Sequence, residues 1–239
     1  MTLKAVESKR LYQQVAEQVA TLIRQGHWVT GDRLPSERDM AQQLGVSRPT
    51  VREAILALEI SGLVEVRTGA GIYVVGTTPV AAPMLLEEDH GPSPFELMDA
   101  RLVIEGETAA IAAERITDEG LVGLSEAIQK MENDASLGRQ DVSNRDDGDR
   151  LFHTRIAAAS GNTVLVNIVD QLWEGMRRPM FRSICERVRL PANVWHAAQD
   201  HKIIYERLAA HDPEGSREAM RLHLMQVKGV LMDNGDESS

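Results

Sequence analysis

The spacing of hydrophobic residues changes along this chain, from mixed helical and strand-like patterns in the first third to helical patterns alone in the remainder. One apolar set near the start repeats every three or four residues, which predicts an amphipathic helix; its members are Leu11, Val15, Val19, Leu22 and Ile23. Two shorter helices are predicted within residues 34–60, and alternating segments at 63–67 and 72–75 predict a β-hairpin. After Pro94 no strand pattern remains, so the chain is predicted to be mainly α.

Residues 34–60 carry the start and stop signals of two helices joined by a tight turn. Ser36 and Ser47 can each cap a helix, and Pro49 lies in the first turn of the second one, where a missing N–H costs little. Gly45 supplies the backbone freedom that the turn between them requires. Such a pair is typical of a helix-turn-helix, whose second helix enters the major groove of DNA.

The polar side of the second helix offers the chemistry that DNA recognition needs. Arg48 and Arg52 can pair with guanine or hold phosphates, while Ser47 and Thr50 carry short hydroxyl donors. Taken alone, these residues also fit an ordinary helical hairpin with solvated arginines. The segment that follows favours DNA binding, because a small β-hairpin directly after a helix-turn-helix is typical of a wing.

The tip of this predicted wing carries Arg67, Thr68 and Gly69, which can reach the DNA backbone or the minor groove. A hairpin that merely covered the helices would not need a glycine-rich tip. We therefore add Thr68 and Gly69 to the predicted DNA-binding residues.

Charge is distributed unevenly over the 239 residues. The net charge is −10, but residues 1–78 contribute +1 and the remainder contributes −11, so the acidic part lies away from the predicted recognition helix.

We predict a DNA-binding domain at residues 8–76, a linker at 77–93 and an all-α domain of six or seven helices at 94–233. The chain has a single cysteine and shows neither a membrane span nor a signal peptide, so we expect a cytoplasmic protein.

One carboxylate and three histidines of the second part can form a metal site. Asp149 and His153 are four residues apart on one predicted helix, so they project from the same face. His201 and His223 lie on two later helices, and a bundle core that joined all four would offer nitrogen and oxygen ligands to a divalent transition metal. For each histidine taken separately, a hydrogen-bonded core residue is the more common interpretation.

Four motifs stand out within residues 10–75. They are Leu11–Gln14 (LYQQ), Gly31–Arg38 (GDRLPSER), Val46–Ala54 (VSRPTVREA) and Gly69–Val74 (GAGIYV). Together they resemble the winged helix-turn-helix of the GntR family of bacterial transcription regulators. The resemblance implies DNA contacts from three arginines, two hydroxyl residues and the wing glycine, which match Arg38, Arg48, Arg52, Ser47, Thr50 and Gly69.

Further motifs follow in the second part of the chain. They include Arg101–Glu105 (RLVIE), Asp149–His153 (DRLFH), Ala159–Asn162 (ASGN) and Leu222–Leu224 (LHL). They resemble the FCD domain, the helical effector-binding domain of the FadR group within this family. The resemblance implies that the metal ligands are Asp149, His153, His201 and His223. Zinc is the preferred ion, with nickel, manganese and iron as alternatives.

Arg101 stands in a predicted helix that is otherwise rich in leucine, valine, isoleucine and alanine. It can form a local ion pair with Glu105, or it can clamp the carboxylate of a small effector. The FCD resemblance favours the clamp, because the matching arginine of that family lines the effector cavity. Trp173 and Asn167 are further pocket candidates by their position on a predicted helix.

Residues 10–14, 64–67 and 94–101 resemble most closely the branch of the family that represses hexuronate utilisation. A hexuronate effector is therefore expected, while the motifs themselves fit lactate-, pyruvate- or dicarboxylate-like ligands equally well. We expect a homodimeric repressor that binds double-stranded operator DNA and is released by a small carboxylate. The competing hypothesis is a metal-dependent hydrolase or lyase fused to a DNA-binding domain. Because no motif places a general base, we predict a protein that is not an enzyme.

Overall fold

The computed structural model describes residues 10–67, 69–78, 91–136, 148–187 and 194–232. Within these ranges the chain forms ten helices and one two-stranded sheet, so the predicted mainly α fold class is confirmed. The chain divides into two compact units, of which the first extends to Gly91 and the second begins at Pro92. No helix in the described ranges is long and apolar enough to cross a membrane.

The first unit contains three helices followed by a hairpin. Its elements are α1 (Leu11–Arg24), α2 (Glu37–Leu44), α3 (Arg48–Ile60), β1 (Val64–Arg67) and β2 (Gly71–Val74). The predicted caps are present: Ser36 Oγ accepts a hydrogen bond from the backbone N–H of Asp39, and Ser47 Oγ accepts one from that of Thr50, both at 3.2 Å. Gly45 ends α2 with a φ of +65°, in the left-handed region that glycine adopts without strain.

Strand β2 is hydrogen-bonded on both of its edges. On one edge it pairs antiparallel with β1, so that Val64 lies opposite Val74. On the other edge the N–H of Leu34 donates to the carbonyl of Ile72 at 2.8 Å. The hairpin is therefore joined to the segment that leads into α2, and it forms one body with the helices of its unit.

The described residues of the second unit form seven helices, at the upper end of the predicted six or seven. They are α4 (Pro94–Ala113), α5 (Asp118–Ser136), α6 (Gly148–Ala159), α7 (Thr163–Met176), α8 (Pro179–Arg187), α9 (Val194–Ala209) and α10 (Pro213–Met232). The helical pattern of the sequence predicts that the third of these helices begins near residue 143, which lies outside the described residues.

Helix α4 is the centre of the second unit, because α6, α7, α9 and α10 all pack against it. Ser93 caps its N-terminus by accepting a hydrogen bond from a backbone N–H of the first turn. Helix α10 approaches it closely at Gly106, where a Cβ atom would lie 2.8 Å from Cγ of Arg221. A helix with neighbours on several sides buries some of its polar residues as well, and Arg101 and Glu105 accordingly lie in the interior.

Candidate metal centre and DNA-binding surface

Four potential metal ligands from three helices of the second unit meet at one point. Asp149 and His153 lie one turn apart on α6, His201 lies on α9 and His223 lies on α10. Oδ1 of Asp149 is 3.3 Å from Nε2 of His153 and 3.1 Å from Nε2 of His201, and the two imidazole nitrogens are 3.3 Å apart. One donor atom from each of the four side chains lies within 4.8 Å of all the others.

The three separations among Asp149, His153 and His201 are close to those around a single ion. Nitrogen and oxygen ligands bind zinc at about 2.0–2.2 Å, which places the donors of a tetrahedral site about 3.3–3.6 Å apart. The three imidazoles are buried, with at most 2% of each histidine exposed, whereas 36% of the Asp149 side chain is exposed. The cluster is therefore enclosed on the histidine side, and Asp149 reaches solvent although its Oδ1 atom, which faces the histidines, is buried.

Glu105 connects this cluster to Arg101. Its Oε2 is hydrogen-bonded to Nδ1 of His153, and its Oε1 accepts a hydrogen bond of 2.5 Å from Nε of Arg101. His223 also has an acidic neighbour at its Nδ1 atom, because Oδ2 of Asp200 on α9 lies 3.5 Å from it. Sequence reasoning considered Glu105 only as a local ion-pair partner. The sequence signal that could have identified Glu105 is a carboxylate one helical turn after the arginine of an otherwise apolar helix.

Burial and charge act in opposite directions on the ionisable groups of the cluster. Burial alone would raise the pKa of Glu105, but Arg101 and His153 lower it to about 2. Burial, reinforced by the neighbouring His201, lowers the pKa of His223 to about 4, so this imidazole is neutral near pH 7. Burial would also lower the pKa of His153, yet the carboxylate of Glu105 raises it. A neutral imidazole such as that of His223 is the form that binds a metal.

The guanidinium group of Arg101 is buried, and its terminal nitrogens have no oxygen acceptor among the described residues. Nη1 lies 3.2 Å from a methionine sulfur, and Nη2 lies 3.4 Å from the His153 Nδ1 atom that already bonds to Glu105. Cζ lies 4.4 Å from the ring centre of Trp173, whose own buried Nε1 has no hydrogen-bond partner among the described residues. Thus the ion pair that we considered as the alternative is formed, and Trp173 adjoins it. Asn167, the other pocket candidate, is exposed on α7.

The predicted DNA-binding residues of the two helices lie near the N-terminal ends of α2 and α3. Arg38 and Arg48 are exposed, and 81% of the Arg38 side chain is accessible to solvent. The hydroxyl oxygens of Ser47 and Thr50 are 2.8 Å apart, so they form a hydrogen-bonded pair where α3 begins. These side chains are free to approach a DNA surface without a rearrangement of the helices.

Arg52 differs from these residues because it already has an acidic partner. Its Nε and Nη2 donate to Oε1 and Oε2 of Glu37 at 3.3 and 3.0 Å. This two-point ion pair joins α3 to α2 across the turn of the helix-turn-helix. Sequence reasoning did not anticipate the contact. Its geometry gives Arg52 a structural role in addition to the predicted contact with DNA.

The wing brings one of its two predicted residues to an exposed tip. Gly69 is exposed with a φ of +68°, and a Cβ atom there would meet nothing within 4 Å. Thr68, the other predicted contact, lies outside the described residues. Beside the tip, Cζ of Arg67 lies 4.5 Å from the ring centre of Tyr73. The glycine therefore leaves open space at the position that we expect to face DNA.

Two family descriptions match the two units separately. Residues 11–74 match the family described as bacterial regulatory proteins, gntR family, and residues 96–226 match the FCD domain. The chain belongs to the GntR family. This confirms the resemblance that the sequence motifs carried, and it makes the chain a DNA-binding transcription regulator whose second unit is an FCD domain.

Two relatives from Escherichia coli (strain K12) align with nearly the whole of this GntR regulator. It is 36% identical over 236 residues to the Exu regulon transcriptional regulator, covering 97% of this chain and 88% of that protein. It is also 36% identical over 236 residues to the Uxu operon transcriptional regulator, covering 96% of this chain and 90% of that protein. The solved structure of E. coli McbR/YncC matches with a TM-score of 0.51 at 24% identity, covering 94% and 98% of the two chains, which supports the fold alone.

Proposed function

We propose that this regulator is a homodimeric repressor of hexuronate catabolism genes that a hexuronate, bound in the FCD domain, releases from operator DNA. The observation that carries the proposal is a buried site in which four potential metal ligands adjoin a guanidinium group and an indole N–H. The 36% identity to regulators of the Exu and Uxu systems supports the choice of hexuronate. Both relatives are named as regulators, which disfavours the hydrolase or lyase hypothesis.

The ion that we propose for the cluster is a divalent transition metal, with zinc preferred over nickel, manganese or iron. Three imidazoles and one carboxylate suit such ions better than magnesium or calcium, which prefer oxygen ligands. The residues that would hold it are Asp149, His153, His201 and His223. When bound, the metal would supply positive charge that attracts and orients the carboxylate of a ligand.

The effector carboxylate is proposed to pair with the terminal edge of Arg101. Nη1 of this buried cation contacts the sulfur of Met176, which is a weak acceptor, and Nη2 lies 3.4 Å from the His153 nitrogen that bonds to Glu105. A carboxylate would accept from both nitrogens in a two-point bond, and a sugar hydroxyl would accept from Nε1 of Trp173. Buried donors of this kind favour a ligand that carries both a carboxylate and hydroxyl groups.

Two copies of the chain are proposed to bind two half-sites of one operator, because two-fold symmetry in a protein is mirrored in its DNA site. The second copy would cover an exposed apolar side of α4 and α10, where Val103, Leu222 and Met225 are 55% to 60% exposed. The residues proposed to contact DNA are Arg38, Ser47, Arg48, Thr50, Arg52, Thr68 and Gly69. Release requires that the effector bind the DNA-incompetent state more tightly than the DNA-competent state. By linkage, DNA must then weaken effector binding by the same factor by which the effector weakens DNA binding.

The test is a thermal-shift comparison of the zinc-loaded protein with galacturonate, glucuronate, lactate and succinate. A ligand of the native state raises the melting temperature by mass action. We expect the hexuronates to raise it, and Arg101→Lys to abolish the increase because lysine keeps the charge but lacks the planar two-point fork. Arg221→Ala, an exposed arginine of α10, should keep the increase. An increase with lactate or succinate alone would overturn the hexuronate assignment, and no increase with any compound would overturn the effector site.

A further inference from the structure

Glu105 lies between two groups to which the proposed function gives roles, although that proposal assigns it neither to the metal nor to the effector. Its two carboxylate oxygens have different partners: Oε1 accepts from Nε of Arg101, and Oε2 is bonded to Nδ1 of His153. Only 3% of its side chain is exposed, so water does not compete for either contact. One buried carboxylate thus joins the candidate metal ligand to the candidate effector clamp.

The contact with Glu105 determines which nitrogen of His153 faces the cluster. An ionised carboxylate can only accept hydrogen bonds, so Nδ1 of His153 is the donor in this pair. Nε2 of the neutral ring then carries the free lone pair, and it is the nitrogen that lies 3.3 Å from Asp149 Oδ1 and 3.3 Å from His201 Nε2. Glu105 therefore holds His153 in the tautomer and orientation that a metal requires.

The same contact leaves the end of Arg101 available for a ligand. While Nδ1 of His153 donates its proton to Glu105, it cannot accept from Nη2 of Arg101 at 3.4 Å. Glu105 accepts from Nε rather than from the two terminal nitrogens, and Cζ of the guanidinium lies over the ring of Trp173. The side chain is thus held by Glu105 and Trp173, and its terminal nitrogens have no oxygen acceptor among the described residues.

We propose that Glu105 is a positioning residue that orients His153 toward a metal and Arg101 toward the carboxylate of a ligand. This inference rests on the proposed function of the same site. Because one carboxylate serves both groups, removal of its charge weakens zinc binding and hexuronate binding together. Substitutions that neutralise other acidic residues of α4 leave both unchanged.

The experiment compares Glu105→Gln with Glu107→Gln, which neutralise two residues of the same helix. Glu107 is exposed and bonds to Arg217 on α10, so it is a matched surface control. Metal-stripped proteins are titrated with ZnCl₂ by calorimetry against a competing chelator. We expect Glu105→Gln to bind zinc about 10–100-fold more weakly, as is typical when the partner of a metal-bound histidine is changed, and Glu107→Gln to match the wild type. Glu105→Ala should bind zinc more weakly still, because glutamine keeps an oxygen that can accept from Nδ1.

The possible results separate this inference from the proposed function. Equal zinc affinities of Glu105→Gln and the wild type would overturn the positioning of His153 and leave the metal centre standing. No zinc binding by the wild type would overturn both.

A second titration, of zinc-saturated proteins with galacturonate, tests the positioning of Arg101. We expect Glu105→Gln to lose about tenfold in affinity, the effect of one hydrogen bond to a charged group. An unchanged affinity would overturn this half of the inference. If the wild type binds no galacturonate, the hexuronate assignment and the Arg101 half both fail, and the zinc titration alone decides the role of Glu105.

A second pair of variants covers the case in which Glu105→Gln does not fold, since it leaves the Arg101 guanidinium buried beside a neutral amide. Arg101→Met is compared with the double variant Arg101→Met/Glu105→Gln, and neither contains that unpaired cation. We expect the double variant to bind zinc about tenfold more weakly than the single one. Equal affinities in this pair would overturn the inference.

Discussion

The two units of this regulator present their functional side chains in opposite ways. In the first unit, Arg38 and Arg48 are exposed on short helices whose caps and turn lie within a few residues of them. In the FCD unit, the candidate functional groups come from α4, α6, α7, α9 and α10 and are mostly buried. A surface that binds a long charged polymer has to extend into solvent, whereas a site for a small molecule gains specificity by excluding solvent.

Burial makes the groups of the FCD site depend on one another. A buried charge that loses its partner destabilises the fold by several kcal/mol, so a change at Arg101, Glu105 or His153 affects stability as well as binding. An exposed side chain such as Arg48 contributes little to stability, and its replacement affects mainly what it touches. The comparison therefore predicts coupled effects in the FCD unit and separable effects in the DNA-binding unit.

Replacement of two imidazoles is expected to have the largest effect. The double variant His153→Ala/His201→Ala loses two of four ligands, so we expect zinc content to fall from about one ion per chain to none. Elemental analysis after dialysis measures this content. His211→Ala removes a histidine that bonds to the carbonyl of Ala113, away from the cluster, and should keep the ion. Zinc retained by the double variant would place the metal elsewhere.

Arg48→Ala tests the exposed side of the comparison. Loss of a two-point contact to guanine costs about 1–3 kcal/mol, so we expect operator binding to weaken about 5–150-fold. The melting temperature and the affinity for galacturonate should stay at wild-type values. Fluorescence anisotropy with labelled operator DNA measures the first quantity, and Arg24→Ala at the end of α1 is the control. Unchanged operator affinity in Arg48→Ala would show that α3 is not the recognition helix.

The metal-free protein is expected to lose stability as the pH falls below 6.5, because the pKa of His223 drops from 6.5 to about 4 on folding. In this range the unfolded chain binds a proton that the folded protein does not, so unfolding becomes more favourable by on the order of 2 kcal/mol at pH 4.5. The raised pKa of His153 affects stability only above pH 6.5, where the folded protein retains a proton that the unfolded chain loses. Glu105, with a folded pKa of about 2, adds a loss only below pH 4.5.

Urea denaturation of the metal-free protein between pH 7 and 4.5 measures this effect. The variant His223→Asn removes the titrating group, so its free energy of unfolding should change much less over the same range. A wild-type slope that persists in His223→Asn would assign the pH dependence to another group.

Substitutions at Arg52 are expected to have small effects, and they separate its structural role from its contact with DNA. It is 39% exposed and paired with Glu37, and an exposed ion pair of this kind contributes about 0–1 kcal/mol. Glu37→Gln breaks the pair but keeps the arginine, whereas Arg52→Ala removes both. We expect Arg52→Ala to weaken operator binding more than Glu37→Gln does. Equal operator affinities would restrict Arg52 to joining α2 and α3.

Local signals in the sequence were sufficient to locate the helices of the DNA-binding unit. Ser36 and Ser47 each cap a helix through a backbone N–H three residues ahead, and Gly45 turns the chain at a single position. The four-residue spacing of Asp149 and His153 likewise places both on one face of any helix. Such signals act within one helical turn, so they do not depend on the rest of the fold.

By itself the sequence determined a mainly α chain, a helix-turn-helix with a wing, and an Asp/His pair on one helix. It also offered His201 and His223 as possible partners of that pair, and the family resemblance assigned them as ligands. Only the tertiary structure decided that Glu105 bonds to His153 across 48 residues and that Arg52 bonds to Glu37 across 15. No local repeat encodes these contacts, because they depend on how ridges and grooves set the crossing of packed helices. The burial of Arg101 has the same origin: its helix is surrounded by others, and this turns a weak local ion pair into part of a shared buried network.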